Sequence, residues 1–342
     1  AALEKEVNLE FTEQPLEECI NYLRGLTDAN IITDTKAFAA GGVDAKTPIT
    51  LRLSKTRLGL ALFWLIGQLP WDWLLAAGRG VGRLAWYLAA SRRRVALTNL
   101  RLCFPELSEQ EREALARRVM ISTGEAILEM AGAFHNQRID LAKRLTVSGL
   151  EHLKTARREG HGVLLLGMHF NSIDVGSRLL GKFFRFSVVY RPNDNPLLDH
   201  LITKGRGTWV NHSVDRNDIR QTVRLLRQGE VVWYAPDQDY GTAHAVFVPF
   251  FGVPAATITA TSRIARMGKA KVIPCAHYRL PGGRYEIEFG APLEDFPCGD
   301  DEADTARINR TIEGYVRKHP EQYLWVHKRF KHQPPGQDHP YR

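Results

Sequence analysis

The chain has 342 residues, 44% of them hydrophobic, which is enough for one large core or two modest ones. Its formal net charge of +8 suits an anionic partner such as a phosphorylated lipid, a membrane surface or an acidic carrier protein, and no recognition motif or basic-aromatic platform supports nucleic acid. The four cysteines, Cys19, Cys103, Cys275 and Cys298, lie far apart without metal-like spacing, which fits free thiols in a reducing compartment.

In chain order, Val7–Phe11 reads as a strand and Pro15–Gly25 as a helix with Leu16, Ile20 and Leu23 on one side. Asn30–Thr33 and Pro48–Leu53 read as further strands. Together they make residues 1–54 a small α+β module, similar in pattern to the short secretin and TonB amino-terminal module, which is an interaction domain. The first residue is Ala and no signal peptide is visible. A gene fusion, an engineered joint and a misjoined sequence all fit this start.

Residues 55–91 form the expected anchor region of a second domain, 55–342. Leu58–Trp71 carries no charge, but its helix would be about 21 Å long against a hydrocarbon core of ~30 Å, too short for a clean span. Trp64, Trp71, Trp73 and Trp86, with Arg79, Arg83, Arg92, Arg93 and Arg94 close behind, describe an interfacial anchor on anionic lipid. The alternatives are an ordinary buried helix pair and the last helix of the preceding module.

Ser108-Glu-Gln-Glu111 is a capping box opening a helix whose Leu115, Val119, Ile127 and Met130 recur at helical spacing. Val163–Met168 is a short apolar run with glycines on either side and reads as a buried strand. Phe186–Tyr190, Val231–Ala235, Lys271–Arg279 and Arg284–Phe289 read as strands, the last two joined by a Pro281-Gly-Gly turn. Asn217–Gln228, Ala256–Met267 and Thr305–Lys318 read as helices, the first two stopped by Gly229 and Gly268. Strands alternating with helices predict an α/β fold, a mixed sheet covered on both faces.

His169 stands where the strand Val163–Met168 ends, with Asn171 and Ser172 as caps of a following helix and Asp174 in its first turn. A histidine and a carboxylate thus meet at the carboxyl end of a strand, where open α/β sheets place ligands. Taking a proton from a hydroxyl needs a base titrating near neutrality, and a carboxylate fixes the tautomer of such an imidazole. The spacing alone is weak. With 38 acidic residues in 342 positions, each of 12 histidines has about one chance in nine of an acid five residues on. His135 with Asp140 is such a pair with no strand before it, and reads as chance. For His169, a catalytic base and a capped structural histidine fit the context equally.

The segments His169-Phe-Asn-Ser-Ile-Asp174, Tyr190-Arg-Pro-Asn-Asp-Asn-Pro-Leu197, Thr203-Lys-Gly-Arg206, Trp233-Tyr-Ala-Pro-Asp-Gln-Asp-Tyr-Gly241, Val248-Pro-Phe-Phe-Gly252 and Pro320-Glu-Gln-Tyr-Leu-Trp-Val-His-Lys-Arg-Phe330 occur in that order. Over Arg57 to Arg342 the chain resembles the late acyltransferases of lipid A biosynthesis, the lauroyl-transferase branch in particular. Many members of that family carry Glu where this chain has Asp174, and Asp is usual in the related glycerolipid acyltransferases. The resemblance implies a glycerolipid-acyltransferase-like fold and transfer of a fatty acyl chain from acyl carrier protein to a hydroxyl of an anionic lipid A precursor, on the cytoplasmic face of the inner membrane. Another glycolipid or phospholipid acceptor, and an inactive lipid-binding or assembly protein, are the rival readings.

In this reading His169 is the base and Asp174 orients it. Backbone amides near Asn171, with nearby arginines, hold the oxyanion or a phosphate. Arg206 is assigned to the catalytic set, while Arg191 and Asn195 in the loop after Phe186–Tyr190 are assigned to substrate binding; both arginines can present a guanidinium to a phosphate or carrier arm. Asp237 and Asp239 follow a buried strand; they can orient Arg206 or His169, or bind the acceptor. The chemistry needs neither metal nor cofactor beyond the carrier-linked donor, and the separated His and Asp residues form no ligand set of familiar spacing.

Overall fold

A computed structural model describes residues 6–26, 44–136, 139–193 and 196–341. The amino-terminal part pairs strand β1 (Glu6–Pro15) antiparallel with β2 (Pro48–Arg57), and helix α1 (Leu16–Leu26) lies between them in sequence. Val7, Leu9 and Phe11 alternate along β1 and are buried with Leu16, Cys19 and Leu23 of α1, the period-two and helical patterns meeting in a cluster that continues through Leu65, Leu69 and Trp71 into the core under the main sheet. The expected strand Asn30–Thr33 lies outside the described residues.

Arg57 runs straight into α2 (Leu58–Gly67), which stops before Pro70, and α3 (Trp71–Leu88) follows. Among the described residues no helix is long and apolar enough to cross a membrane. The tryptophans do not form the interfacial surface expected of them. Trp71 and Trp86 are buried, and Trp64 and Trp73 pack partly buried against the core. The exposed apolar side chains of α3 are Val81, Leu84, Tyr87 and Leu88.

After α4 (Ala90–Cys103), the capping box at Ser108 and Glu111 opens α5 (Glu109–His135) as expected. Helix α5 crosses α3 so closely that a Cβ on Gly124 would stand 2.4 Å from the Gly82 nitrogen, so only glycine fits there. Then come β3 (Leu145–Ser148), α6 (Leu150–Arg158), β4 (Val163–Leu166), α7 (Ile173–Leu180), β5 (Phe186–Tyr190), α8 (Pro196–Arg206), β6 (Val210–Asp215), α9 (Ile219–Arg227) and β7 (Val231–Tyr234). A hairpin, β8 (Ala245–Phe250) and β9 (Val253–Ile258), precedes α10 (Ala260–Gly268), β10 (Lys271–Leu280), β11 (Arg284–Phe289) and α11 (Asp301–Val316). The helix expected over Ala256–Met267 is thus shorter at its start, because residues 256–258 are hydrogen-bonded to β8.

The main sheet has seven strands in the order β3-β11-β10-β4-β7-β5-β6. Only the β10–β11 pair is antiparallel, so the sheet is mixed as expected. Val163 and Leu165 of β4 face one core with α6 and α7; Leu164 and Leu166 face another with α9, α10 and α11. Both faces are covered, and β4 sits at the centre with its carboxyl end open to the loops that carry the site.

Candidate active site

The central register decides which residues meet. Leu166 of β4 pairs with Tyr234 of β7 on one side and with Pro274 of β10 on the other. Counting three residues onward along each parallel strand brings Asp237, His169 and His277 to the same level at the carboxyl edge. The hydrogen bonds realise the first of these meetings. Asp237 is buried, and its carboxylate accepts from the His169 backbone N–H at 2.8 Å and meets His169 Nδ1 at 2.6 Å. Burial alone would raise the carboxyl pKa of Asp237, but the charge and hydrogen bonds of His169 outweigh it and hold the group below its ordinary value. With Nδ1 engaged, Nε2 of His169 remains for proton transfer.

Asp174 therefore does not orient His169. It does lie in the first turn of α7, but that turn carries its carboxylate toward the end of α8, where Oδ1 accepts from Arg206 Nη2 at 2.6 Å and Nε at 3.2 Å. The expected caps do not act as such: Ser172 makes no side-chain cap and its Oγ has no partner in the protein, while Asn171 Nδ2 donates to Ser122 Oγ of α5 at 3.3 Å.

Four of the amides around Asn171 are already committed. His169 N–H donates to Asp237, Phe170 N–H to the Met168 carbonyl, Asn171 N–H to the Gln322 carbonyl at 2.7 Å, and Ile173 N–H to the Phe170 carbonyl. Gln322 belongs to a carboxyl-terminal strap that grips the catalytic turn. Leu324 N–H donates to the His169 carbonyl at 3.0 Å, Phe170 and Tyr323 form an isolated β-bridge, and Tyr323 Oη donates to the Asp237 carbonyl at 3.2 Å. The side chain of Gln322 also exchanges hydrogen bonds with the Arg279 backbone.

A cavity of about 620 Å³ opens beside His169, within the range of small-molecule sites. Its apolar wall includes Ile173, Leu180, Phe186, Val188, Cys275 and Ile287; Arg191, Arg206 and Arg216 line it as well. Asp239 lines the cavity too, but its carboxylate is taken by the His332 backbone N–H at 2.8 Å, His332 Nδ1 at 2.6 Å and the Gly241 N–H at 3.0 Å. Three of the roughly four acceptor sites of that carboxylate are thus used within the protein. Asn195 lies outside the described residues. Among the described residues no group of three or more His, Cys, Asp or Glu is placed to hold a metal ion.

These are the features of a base-catalysed transfer site with an apolar binding wall, and comparison with known proteins decides the class. Residues 46–332 match the family described as bacterial lipid A biosynthesis acyltransferase. The chain belongs to that family. It is 40% identical to the lipid A biosynthesis lauroyltransferase of Escherichia coli K12 over 283 residues, covering 82% of this chain and 92% of the relative. It is 35% identical over 284 residues to the palmitoleoyltransferase of the same organism, with 82% and 92% covered. The E. coli myristoyltransferase is 33% identical over 265 residues, covering 77% of this chain and 82% of that one. The protein is therefore an acyltransferase.

Two histidines on the wall of this acyltransferase's cavity escaped the sequence reading, His277 and His327. Nε2 of each is buried without a hydrogen-bond partner. Burial, with the charge of His169 next, pushes both imidazoles down to about 4. The only sequence signal was their position at a strand end and inside the last family segment. Their folded values lie below the unfolded value near ~6.5. Between those limits the unfolded chain binds more protons, so stability falls as pH drops through the window from about 6.5 to 4. For the deeply buried His277 the loss is on the order of 1 kcal/mol per pH unit. The urea midpoint should decline across that window and decline less steeply in His277→Gln/His327→Gln protein; equal slopes would show that these imidazoles are not held neutral.

Proposed function

We propose that this acyltransferase moves a fatty acyl chain of about lauroyl length from acyl carrier protein to a hydroxyl of a lipid A precursor, at the cytoplasmic face of the inner membrane. The observation that carries the reading is the His169–Asp237 pair, made at 2.6 Å on the edge of a cavity with an extended apolar wall. Asp237 holds the imidazole so that Nε2 takes the proton from the acceptor hydroxyl as its oxygen attacks the thioester carbonyl, and then delivers it to the departing thiolate. The Asp174–Arg206 ion pair, 2.6 Å long and mostly shielded, fixes the start of α7 against the end of α8 and keeps a guanidinium beside the base. Arg191 and Arg216 line the same cavity and suit a phosphate of the acceptor or of the carrier arm.

The lauroyl, palmitoleoyl and myristoyl names of the relatives support the acceptor class and a medium acyl chain. Membrane attachment is read from the exposed Val81, Leu84, Tyr87 and Leu88 of α3, flanked in sequence by Arg79, Arg83 and Arg92 to Arg94. Such a surface lies in the interface and attracts anionic headgroups. Residues 1–54 are read as an appended small α+β module; the family match, which begins at residue 46, overlaps only its last part.

Purified protein is to be incubated with lauroyl, myristoyl and palmitoleoyl carrier thioesters and a lipid A precursor, and the products weighed. We expect one added acyl group per acceptor, fastest with lauroyl, and activity that sediments with membranes until detergent releases it. Transfer to a phospholipid but not to the lipid A precursor would overturn the acceptor; a soluble activity at low salt would overturn the anchoring surface.

A further inference from the structure

An acyl transfer through a tetrahedral intermediate places a full negative charge on the former carbonyl oxygen, and removal of one donor from that oxygen commonly costs ~10²–10³ in turnover. Four amides of the catalytic turn, those of His169, Phe170, Asn171 and Ile173, already have partners in the protein. Arg206 is engaged with Asp174.

His277 stands on the side of His169 opposite Asp237. The pairing of Leu166 with both Tyr234 and Pro274 sets Asp237 and His169 just past the ends of β7 and β4, and His277 on the neighbouring strand β10. Its ring lines the cavity and is walled by two close neighbours. Phe170 meets it edge-on at 5.8 Å, and Gly176 of α7 approaches so near that a Cβ there would lie 2.6 Å from the ring. The ring is thus held in place between helix and strand while its Nε2 has no partner in the protein. A buried polar atom without a protein partner is costly, and beside a cavity a ligand or a water can satisfy it. Burial keeps the imidazole uncharged at neutral pH, pushing it down to about 4. A neutral imidazole carries one N–H whichever tautomer it adopts, and such a group can polarise a carbonyl without competing as a proton donor, as a neutral histidine does in triosephosphate isomerase.

We propose that His277 is a further catalytic residue of the acyl transfer, donating its N–H to the carbonyl oxygen of the acyl donor as that oxygen becomes negative. The inference rests on the thioester chemistry proposed above. The acceptor oxygen forms the new C–O bond, and its proton goes to His169 Nε2. The carbonyl pair moves onto the oxygen facing His277, which keeps its own proton. Collapse then breaks the C–S bond, and the thiolate takes the proton from His169.

The test compares apolar replacements, His277→Phe and His277→Leu, with donor-bearing ones, His277→Gln and His277→Asn, in the full-length protein, with His169→Ala as the reference for loss of the base. Fold is monitored by circular dichroism and the urea midpoint. The apolar variants should lose about 10²-fold or more in kcat with KM for donor and acceptor changed only a few-fold, while at least one amide variant recovers ~10-fold or more of that loss. Leu serves if Phe prevents folding. If a folded apolar variant turns over within about threefold of wild type while His169→Ala is inactive, the role of His277 is wrong and the base stands. Equal loss in all four variants would make His277 a packing residue. If His169→Ala itself stays active, the reading on which this proposal rests fails instead.

Discussion

His169→Ala protein should transfer acyl groups at least ~10²-fold more slowly than wild type, the usual worth of a positioned base, and Asp237→Asn should lose as much. The asparagine loses the charge that steadies the imidazolium. It also offers one acceptor oxygen where the carboxylate now serves two N–H groups, the backbone amide and Nδ1 of His169. Its amide nitrogen would face a nitrogen that must itself donate, and the competing tautomer puts the proton on Nε2, where the base is needed. Asp237 contributes no surface, so the fold should survive the isosteric change. Single-turnover rates with a labelled acyl thioester check the pair, and a folded Asp237→Asn enzyme of normal rate would return the orienting role to Asp174.

A second large effect concerns stability. Arg279 of β10 is buried, with Nε 2.7 Å from Glu129 Oε1 and Nη1 2.9 Å from Glu125 Oε2, both carboxylates coming from α5. Tyr285 Oη donates to Glu129, Trp71 Nε1 donates to Tyr285 Oη at 3.1 Å, and Arg79 reaches Glu125 at 3.1 Å. Burial would lower the guanidinium pKa, but the two carboxylates outweigh it and raise it further. Arg279→Met leaves Glu129 buried with its main partner gone, which should cost about 3–5 kcal/mol of unfolding free energy. Converting the group together, as Arg279→Met/Glu125→Leu/Glu129→Leu, should return most of that loss, since an apolar set of similar volume has no charge to desolvate. Urea unfolding in mild detergent measures both, and a loss under about 1 kcal/mol in the single variant would mean that water reaches the cluster.

The sheet was largely legible because burial on both faces leaves short apolar runs such as Val163–Leu166 and Val231–Tyr234 between turn residues. Local patterns failed where tertiary pairing overrode them. Val210–Asp215 carries Asn, His and Ser through its middle and reads as a loop, yet it is paired with β5. Ala256 to Ile258 reads as the start of an Ala-rich helix but pairs with β8. The site divides in the same way. His169, Arg206 and Asp237 were found from strand ends and family segments, but His169 and Asp237 lie 68 residues apart and meet only through the β4–β7 register. No spacing rule contains that information. Glu125 and Glu129 likewise look in sequence like the solvent face of a long helix; their burial depends on an arginine that reaches them from 150 residues away or more.

The strap from Pro320 to Phe330 has a bearing on when the enzyme comes to life. The peptide groups of His169 and Asn171 and the carbonyl of Asp237 all receive their outer contacts from Gln322, Tyr323 and Leu324. A chain emerging from the ribosome lays down its amino-terminal elements first, so β4, β7 and the base itself are made long before the segment that braces them. The catalytic turn is thus unbraced while the elements before the strap are being laid down, and the site is completed only once that later segment has been made and has folded back onto it.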